Sequence, residues 1–183
     1  MASEKTKTGI IIGIVALVAV LVLDGFTFLI VKVRERVVQA RAMAELKADN
    51  PVEYYILHTP MVQSESDLKD GLVGTWQLAG AKSLQSGEFV RLVSPQHYRK
   101  TFTLTNWTMV ACDNDSNVLY TAGGHYTLQG ENYTESIEAA TGAKSQFRGT
   151  HPTFRIRLDG DNFYEMGMGK NPSIEQMWER IGQ

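Results

Sequence analysis

At 183 residues, with a net charge of −2 and a single cysteine, the chain has room for one globular domain plus extra segments. The near-balanced charge excludes the strongly basic bulk of a nucleic-acid-binding protein. The lone Cys112 excludes an internal disulfide framework and a multi-cysteine zinc site.

Residues 1–8 form a short polar tail. Residues 9–31, from Gly9 to Val31, are an apolar run of about 23 residues interrupted by one acid, Asp24. A run of that length spans a hydrocarbon core of roughly 30 Å as a helix. Lys32, Arg34 and Arg36 follow it at once, where a signal peptide would carry a small-residue cleavage site, so the run is expected to stay as an anchor. At about 100° per residue, Gly9, Gly13, Ala16, Val20, Asp24 and Thr27 fall within an arc of roughly 80°. Small residues on one stripe let another backbone approach closely, and a carboxyl group at hydrocarbon depth costs about 2.5 kcal/mol or more unless a partner receives it. This face is therefore the expected interface with other transmembrane subunits. Lys32, Arg34, Arg36, Arg41 and Lys47 outnumber the basic residues before the run. That excess implies a single-pass protein of the inner (cell) membrane with its C-terminal domain on the cytoplasmic face.

Residues 32–49 lack Gly and Pro and carry charges among Val and Ala, which predicts that the helix continues beyond the bilayer. Asn50-Pro51 ends it, because a residue before proline is pushed out of the α region. Residues 50–70 read as a linker containing the sticky Tyr54-Tyr55-Ile56-Leu57. From residue 71 to 183 the pattern changes to period-two alternation broken by turns. Strands are predicted over 72–82, 88–93, 98–105, 107–112, 117–122, 124–129, 132–138, 152–158, 162–167 and 173–181, with a short helix as the alternative for the last. So many short strands joined by tight turns make an antiparallel barrel or sandwich.

Little in this domain points to chemistry. His58, His97, His125 and His151 lack the i, i+4 spacing of a zinc-binding helix, so no metal is expected. Glu135 and Glu138 are separated by an odd number and cannot share one strand face, which argues against a paired-carboxylate hydrolase. Cys112 has no helix N-terminus beside it to lower its pKa. No nucleophile elbow, P-loop or dinucleotide fingerprint is present, and neither enzymatic activity nor a cofactor is expected. Arg155 and Arg157 share a face, but Asp and Glu are interspersed among the basic residues, which reads as a solvated wall and not a nucleic-acid stripe.

The domain opens with Gly74-Thr75-Trp76 and closes with Met177-Trp178-Glu179-Arg180. A Gly-x-Trp on the first strand and an Arg near the end of the last resembles the lipocalin signature. Gly123 to Leu128 and Tyr133 to Glu138 are similar to bacterial lipocalin-like domains of uncharacterised function. The resemblance covers about residues 71–183. It implies that Gly74, Trp76 and Arg180 close one barrel end, the Arg stacking over the Trp. The fold class is thus an all-β antiparallel lipocalin-like barrel preceded by one N-terminal transmembrane α-helix. A small barrel is filled by its own side chains, here Phe102, Leu104, Tyr126, Leu128, Phe154 and Ile156.

Two functions follow. The patterned apolar face favours a non-enzymatic accessory subunit of a larger membrane complex, docked through its helix and its barrel. The resemblance alone supports the alternative, a membrane-tethered module binding a small hydrophobic ligand, which requires a cavity of at least roughly 300 Å³. If the helix docks through Asp24, Asp24→Leu will insert normally yet co-purify less with its membrane partner in mild detergent. Leucine substitutions on the opposite face will not have that effect. An assembly unchanged by Asp24→Leu overturns the docking face.

Overall fold

The computed structural model describes residues 32–60, 63–92, 97–169 and 174–182. The run 9–31 and its Gly9–Thr27 face lie outside the described residues, among which no helix is long and apolar enough to cross a membrane. Cα packing divides the chain into two units, Met1–Glu45 and Leu46–Gln183. In the first, residues 32–45 are helical and Lys32 pairs with Glu35 at 3.5 Å along the exposed helix surface.

The second unit begins inside the same helix, α1 (32–49), whose last turn closes with the Asn50 amide donating to the Leu46 carbonyl. Asn50 then caps the next helix: its side chain accepts from the Glu53 amide, and Pro51 takes the first helical position, where no amide donor is needed. This short helix α2 (Pro51–Glu53) runs into a π-helical turn, Tyr54–His58. The stretch expected as a linker is therefore a structured strap. Val52 and Ile56 are buried against Tyr164 and Met177 on the outer wall of the barrel, and the Tyr55 ring stacks on Tyr164 at 4.4 Å. Helix α3 (Glu65–Leu72) starts with a reciprocal capping box between Ser64 and Asp67 and buries Leu68 and Leu72.

Nine strands follow: β1 (Gly74–Lys82), β2 (Phe89–Arg91), β3 (His97–Phe102), β4 (Asn106–Cys112), β5 (Val118–Gln129), β6 (Asn132–Ala140), β7 (Thr153–Asp159), β8 (Asn162–Gly167) and β9 (Glu175–Gly182). All pair antiparallel: β1 pairs with β3, β3 to β9 pair in sequence order, and β9 returns to β1. Strands β1 and β3–β9 thus close an up-and-down ring of eight, while β2 pairs only with the distal end of β1. The last segment is a strand, not a helix: its β1 register, from Thr75↔Gly182 to Ala81↔Gln176, closes the barrel and overrides its amphipathic helix-like spacing.

Of the four register shifts among the paired strands, two bear on the shape of the interior. The predicted break at Gly123-Gly124 is a kink within one continuous β5, because a Cβ at Gly124 would run into the Ser136 carbonyl of β6. A register shift between Leu78 and Gly80 leaves Ala79 packed on the outer wall and turns Ala81 inward.

Alternation along the strands sends Trp76, Leu78, Phe102, Trp107, Tyr126, Tyr133, Phe154, Ile156, Phe163 and Trp178 into one core. Phe102 lies edge-on to Tyr126, Tyr133 and Phe163, with centroids 5.6, 5.8 and 5.8 Å away, a geometry that favours the ring quadrupoles. Leu104 departs from expectation. It is 53 % exposed, because β3 ends at Phe102 and the Thr103 amide already turns back to the Asn106 carbonyl.

Because the strap and α3 bury Val52, Ile56 and Leu68, at about 1.5–3 kcal/mol each, a fragment 46–183 will unfold at higher urea than a fragment 71–183. Both will show β-type far-UV circular dichroism. Equal midpoints would mean that the strap contributes nothing to the barrel.

Candidate functional site: a charged floor beneath the barrel mouth

One end of the barrel is sealed by side chains that also hold α3. The Arg180 guanidinium lies 4.1 Å from the centroid of the Trp76 ring. Its Nη1 donates to the Val73 carbonyl at 2.7 Å and its Nη2 to that of Gly71. Trp76 Nε1 donates to the Leu72 carbonyl at 2.8 Å. Three successive carbonyls at the helix exit are thus satisfied by two barrel residues. Gly74 has φ +132°, a conformation closed to most side chains, and turns the chain from α3 into β1. Gly74, Trp76 and Arg180 therefore meet at this end.

Toward the other end the interior changes character. Three inward-facing positions on three separate strands carry charge: Lys100 of β3, Glu135 of β6 and Glu165 of β8, only 3, 4 and 1 % exposed. Lys100 Nζ lies 2.8 Å from Glu135 Oε1 and 3.2 and 3.0 Å from the two oxygens of Glu165. The carboxylates are supported in turn. The Tyr133 hydroxyl donates to Glu135 Oε1 at 2.8 Å, and Trp178 Nε1 donates to Glu165 Oε1 at 2.9 Å. Rings surround the ammonium, with Trp178 nearest at 5.1 Å and Trp107, Tyr133 and Phe154 each at 5.7 Å. A lone ammonium in such a place would be strongly destabilising; two carboxylates and the faces of several rings offset its lost hydration.

The proton affinities follow from this packing. Burial pulls the Lys100 pKa down, but Glu135 and Glu165 together outweigh it and hold the ammonium above the ordinary lysine value. Burial, reinforced by Glu135, raises Glu165, with Lys100 opposing. Burial and then the Glu135 and Glu165 charges push the Tyr133 phenol far up. Tyr120, higher in the barrel, is pushed up to about 12 by burial and by Tyr98.

Above this floor lies a cavity of about 380 Å³. Tyr98, Met109, Tyr120 and Phe154 form walls, Ala81, Leu92, Ile174 and Gln176 lie toward the strand ends, and Lys144 comes from a 3₁₀ turn (Gly142–Phe147). Among the described residues the interior is therefore filled only from the Trp76 end to the Lys100 floor and leaves this cavity beyond it, a correction to the filled barrel expected of so short a domain. Glu135 and Glu138 do point to opposite faces: Glu138 is outside, bonded to His125 Nδ1 at 2.7 Å. The partner of Glu135 is Glu165, thirty residues on. Arg155 and Arg157 both face outward, but Arg157 is buried and not solvated as expected: its Nη2 donates to the Thr59 carbonyl at 3.0 Å, pinning the end of the strap, and its Nη1 forms an ion pair with Glu131 at 3.1 Å. No group of histidine, cysteine and acidic side chains suited to a metal occurs among the described residues.

The topology defines an eight-stranded antiparallel barrel of lipocalin-like fold. No known protein family and no curated protein matches the chain. Among solved structures it is similar to a lipocalin-like protein from Bacteroides uniformis, at 14 % identity over 60 % of this chain and 98 % of that one, with a TM-score of 0.45. It is also similar to an uncharacterized protein from Bacteroides eggerthii, at 11 % identity over 59 % and 98 % of the two chains, with a TM-score of 0.43.

Removing the cation strands two buried carboxylates, so Lys100→Met will cost about 3–5 kcal/mol in urea unfolding at pH 7. The alkaline profile will change as well. Lys100 and Tyr120 have folded pKa values above their ordinary ones, so the stability they add is complete below about pH 10 and is lost as pH rises through the folded values, about 12 for Tyr120. The unfolding free energy will fall above pH 10 in the parent chain and less steeply in Lys100→Met. A flat alkaline limb in the parent would contradict the buried ion cluster.

Proposed function

We propose that the chain is a membrane-tethered, non-enzymatic module whose barrel mouth holds a small ligand. One observation carries this reading: a cavity of about 380 Å³ exceeds the roughly 300 Å³ at which ligand pockets begin. Its composition also suits binding, with aromatic and apolar walls and a few convergent polar groups at the base. A binding role is preferred to a catalytic one because the Lys100 ammonium is engaged by carboxylates on every side offered to it and is not a free amine nucleophile.

The tether comes from the run 9–31, and the charge excess that follows it places the barrel on the cytoplasmic face of the cell membrane. Docking of the Gly9, Gly13, Ala16, Val20, Asp24 and Thr27 face against other transmembrane subunits remains part of the proposal. It is supported by the sequence pattern.

The full chain in nanodiscs of uncharged lipid provides the test. Small aromatic solutes should give saturable heats by titration calorimetry, after subtraction of empty nanodiscs. Ala81→Trp, which fills the mouth from β1, should reduce their affinity at least tenfold while leaving the urea midpoint within about 0.5 kcal/mol. Uptake that never saturates, or that Ala81→Trp leaves unchanged, would refute the mouth as a binding site.

A further inference from the structure

The hydrogen-bond inventory of the floor is asymmetric. An ammonium has three donors and no acceptor, and a carboxylate has two acceptor oxygens and no donor. Lys100 Nζ hydrogen-bonds both oxygens of Glu165 and pairs with Glu135 Oε1 at 2.8 Å, so three carboxylate oxygens face it. Glu135 Oε1 receives a second bond from Tyr133, and Glu165 Oε1 a second from Trp178. Among the described residues, Glu135 Oε2 alone of the four oxygens accepts nothing, although its side chain is deeply buried and lines the cavity. A molecule reaching the floor from the cavity therefore meets a spare acceptor, whereas the ammonium is already faced by three carboxylate oxygens and the one unpartnered donor nearby, Trp107 Nε1, is buried outside the cavity lining.

The charge points the same way. The floor sets two carboxylates against one ammonium. The other cation of the lining, Lys144, sits at the rim with its ammonium 5.5 Å from the Tyr120 ring and 5.1 Å from that of Phe147. An anionic head group would be held at that rim by Lys144 and the neutral donors of Tyr120 and Gln176, and would meet two carboxylates below. The walls of Tyr98, Tyr120 and Phe154 offer π faces, which attract a cation and pack an aromatic body equally well.

We propose that the mouth takes an amphipathic amine, which enters cation first, seats its ammonium on Glu135 Oε2 and lays an aromatic or apolar body along the tyrosine walls. This inference rests on the reading of the mouth as a binding site, and the experiment separates the two. Three solutes of nearly equal shape, 4-phenylbutylamine, 4-phenylbutanol and 4-phenylbutyrate, are titrated into the full chain in uncharged nanodiscs at pH 7. The amine should bind at least tenfold more tightly than the butyrate, the scale of one charge-assisted hydrogen bond. Glu135→Gln should abolish that preference.

Butyrate bound as tightly as amine, or a preference that survives Glu135→Gln, would overturn the amine assignment and leave the binding site standing. No saturable binding of any of the three would overturn both. Should Glu135→Gln fail to fold, the ratio of the three affinities in the unsubstituted chain decides the matter alone.

Discussion

An ammonium can be kept inside an apolar barrel only if carboxylates reach it at hydrogen-bonding distance, and this requirement organises the interior. Lys100, Glu135 and Glu165 stand on strands β3, β6 and β8, spread around the ring. Their contact at 2.8–3.2 Å ties the walls of the barrel together across its axis. Below that tie the barrel is packed with rings; above it, the polar layer cannot be covered by more hydrocarbon without loss of solvation. The boundary between filled and open interior lies where the charge is. Substitution by apolar residues of similar volume is often neutral or stabilising for buried ion clusters, so this one is not needed simply to make the core stable.

The two ends of the barrel solve different problems. At the Trp76 end the chain must pass from α3 to β1, and the helix leaves carbonyls without partners. Arg180 and Trp76 supply donors to all three of Gly71, Leu72 and Val73. The last strand thereby fixes the element that precedes the first. On the outer wall, Glu175 receives Asn50 Nδ2 at 2.7 Å and Lys82 Nζ at 2.6 Å, clasping the strap to β1 and β9. The strap and the plug therefore both depend on β9, and any change that loosens that strand loosens them together.

Much of the barrel was legible in the sequence because alternation and turn residues are local signals. Ser86-Gly87, Asp159-Gly160-Asp161 and the Trp76 and Arg180 pair all stand where a lipocalin-like barrel needs them. The failures have physical causes. Gly123-Gly124 reads as a loop or a bulge from the sequence alone, and the close backbone of β6 makes it a bulge inside one strand. Residues 50–59 resemble a linker because the surface that buries Val52 and Ile56 is built from β8 and β9, more than a hundred residues away. The charged floor was hidden for the same reason: its three members meet across the barrel, whereas spacing rules compare residues along one element. A local trace of it does exist. Lys100 lies between Tyr98 and Phe102, Glu135 between Tyr133 and Ile137, and Glu165 follows Phe163, each at a position that alternation assigns to the inside.

Closure of the ring by β1 and β9 also sets the order in which the barrel can assemble. Every other pairing of the ring joins strands adjacent in sequence or, for β1 and β3, separated only by β2, whereas the pairing from Thr75 to Gly182 closes a loop containing nearly the whole domain. The entropy of that closure must be met before its contacts form, so it belongs late in folding. Until then β1 and β9 are free sheet edges, and Leu78, Met177 and Trp178 are uncovered beside them. A nascent chain from which β9 has not yet emerged would present those edges for intermolecular strand pairing, so synthesis of β9, more than of any earlier strand, decides between barrel and aggregate.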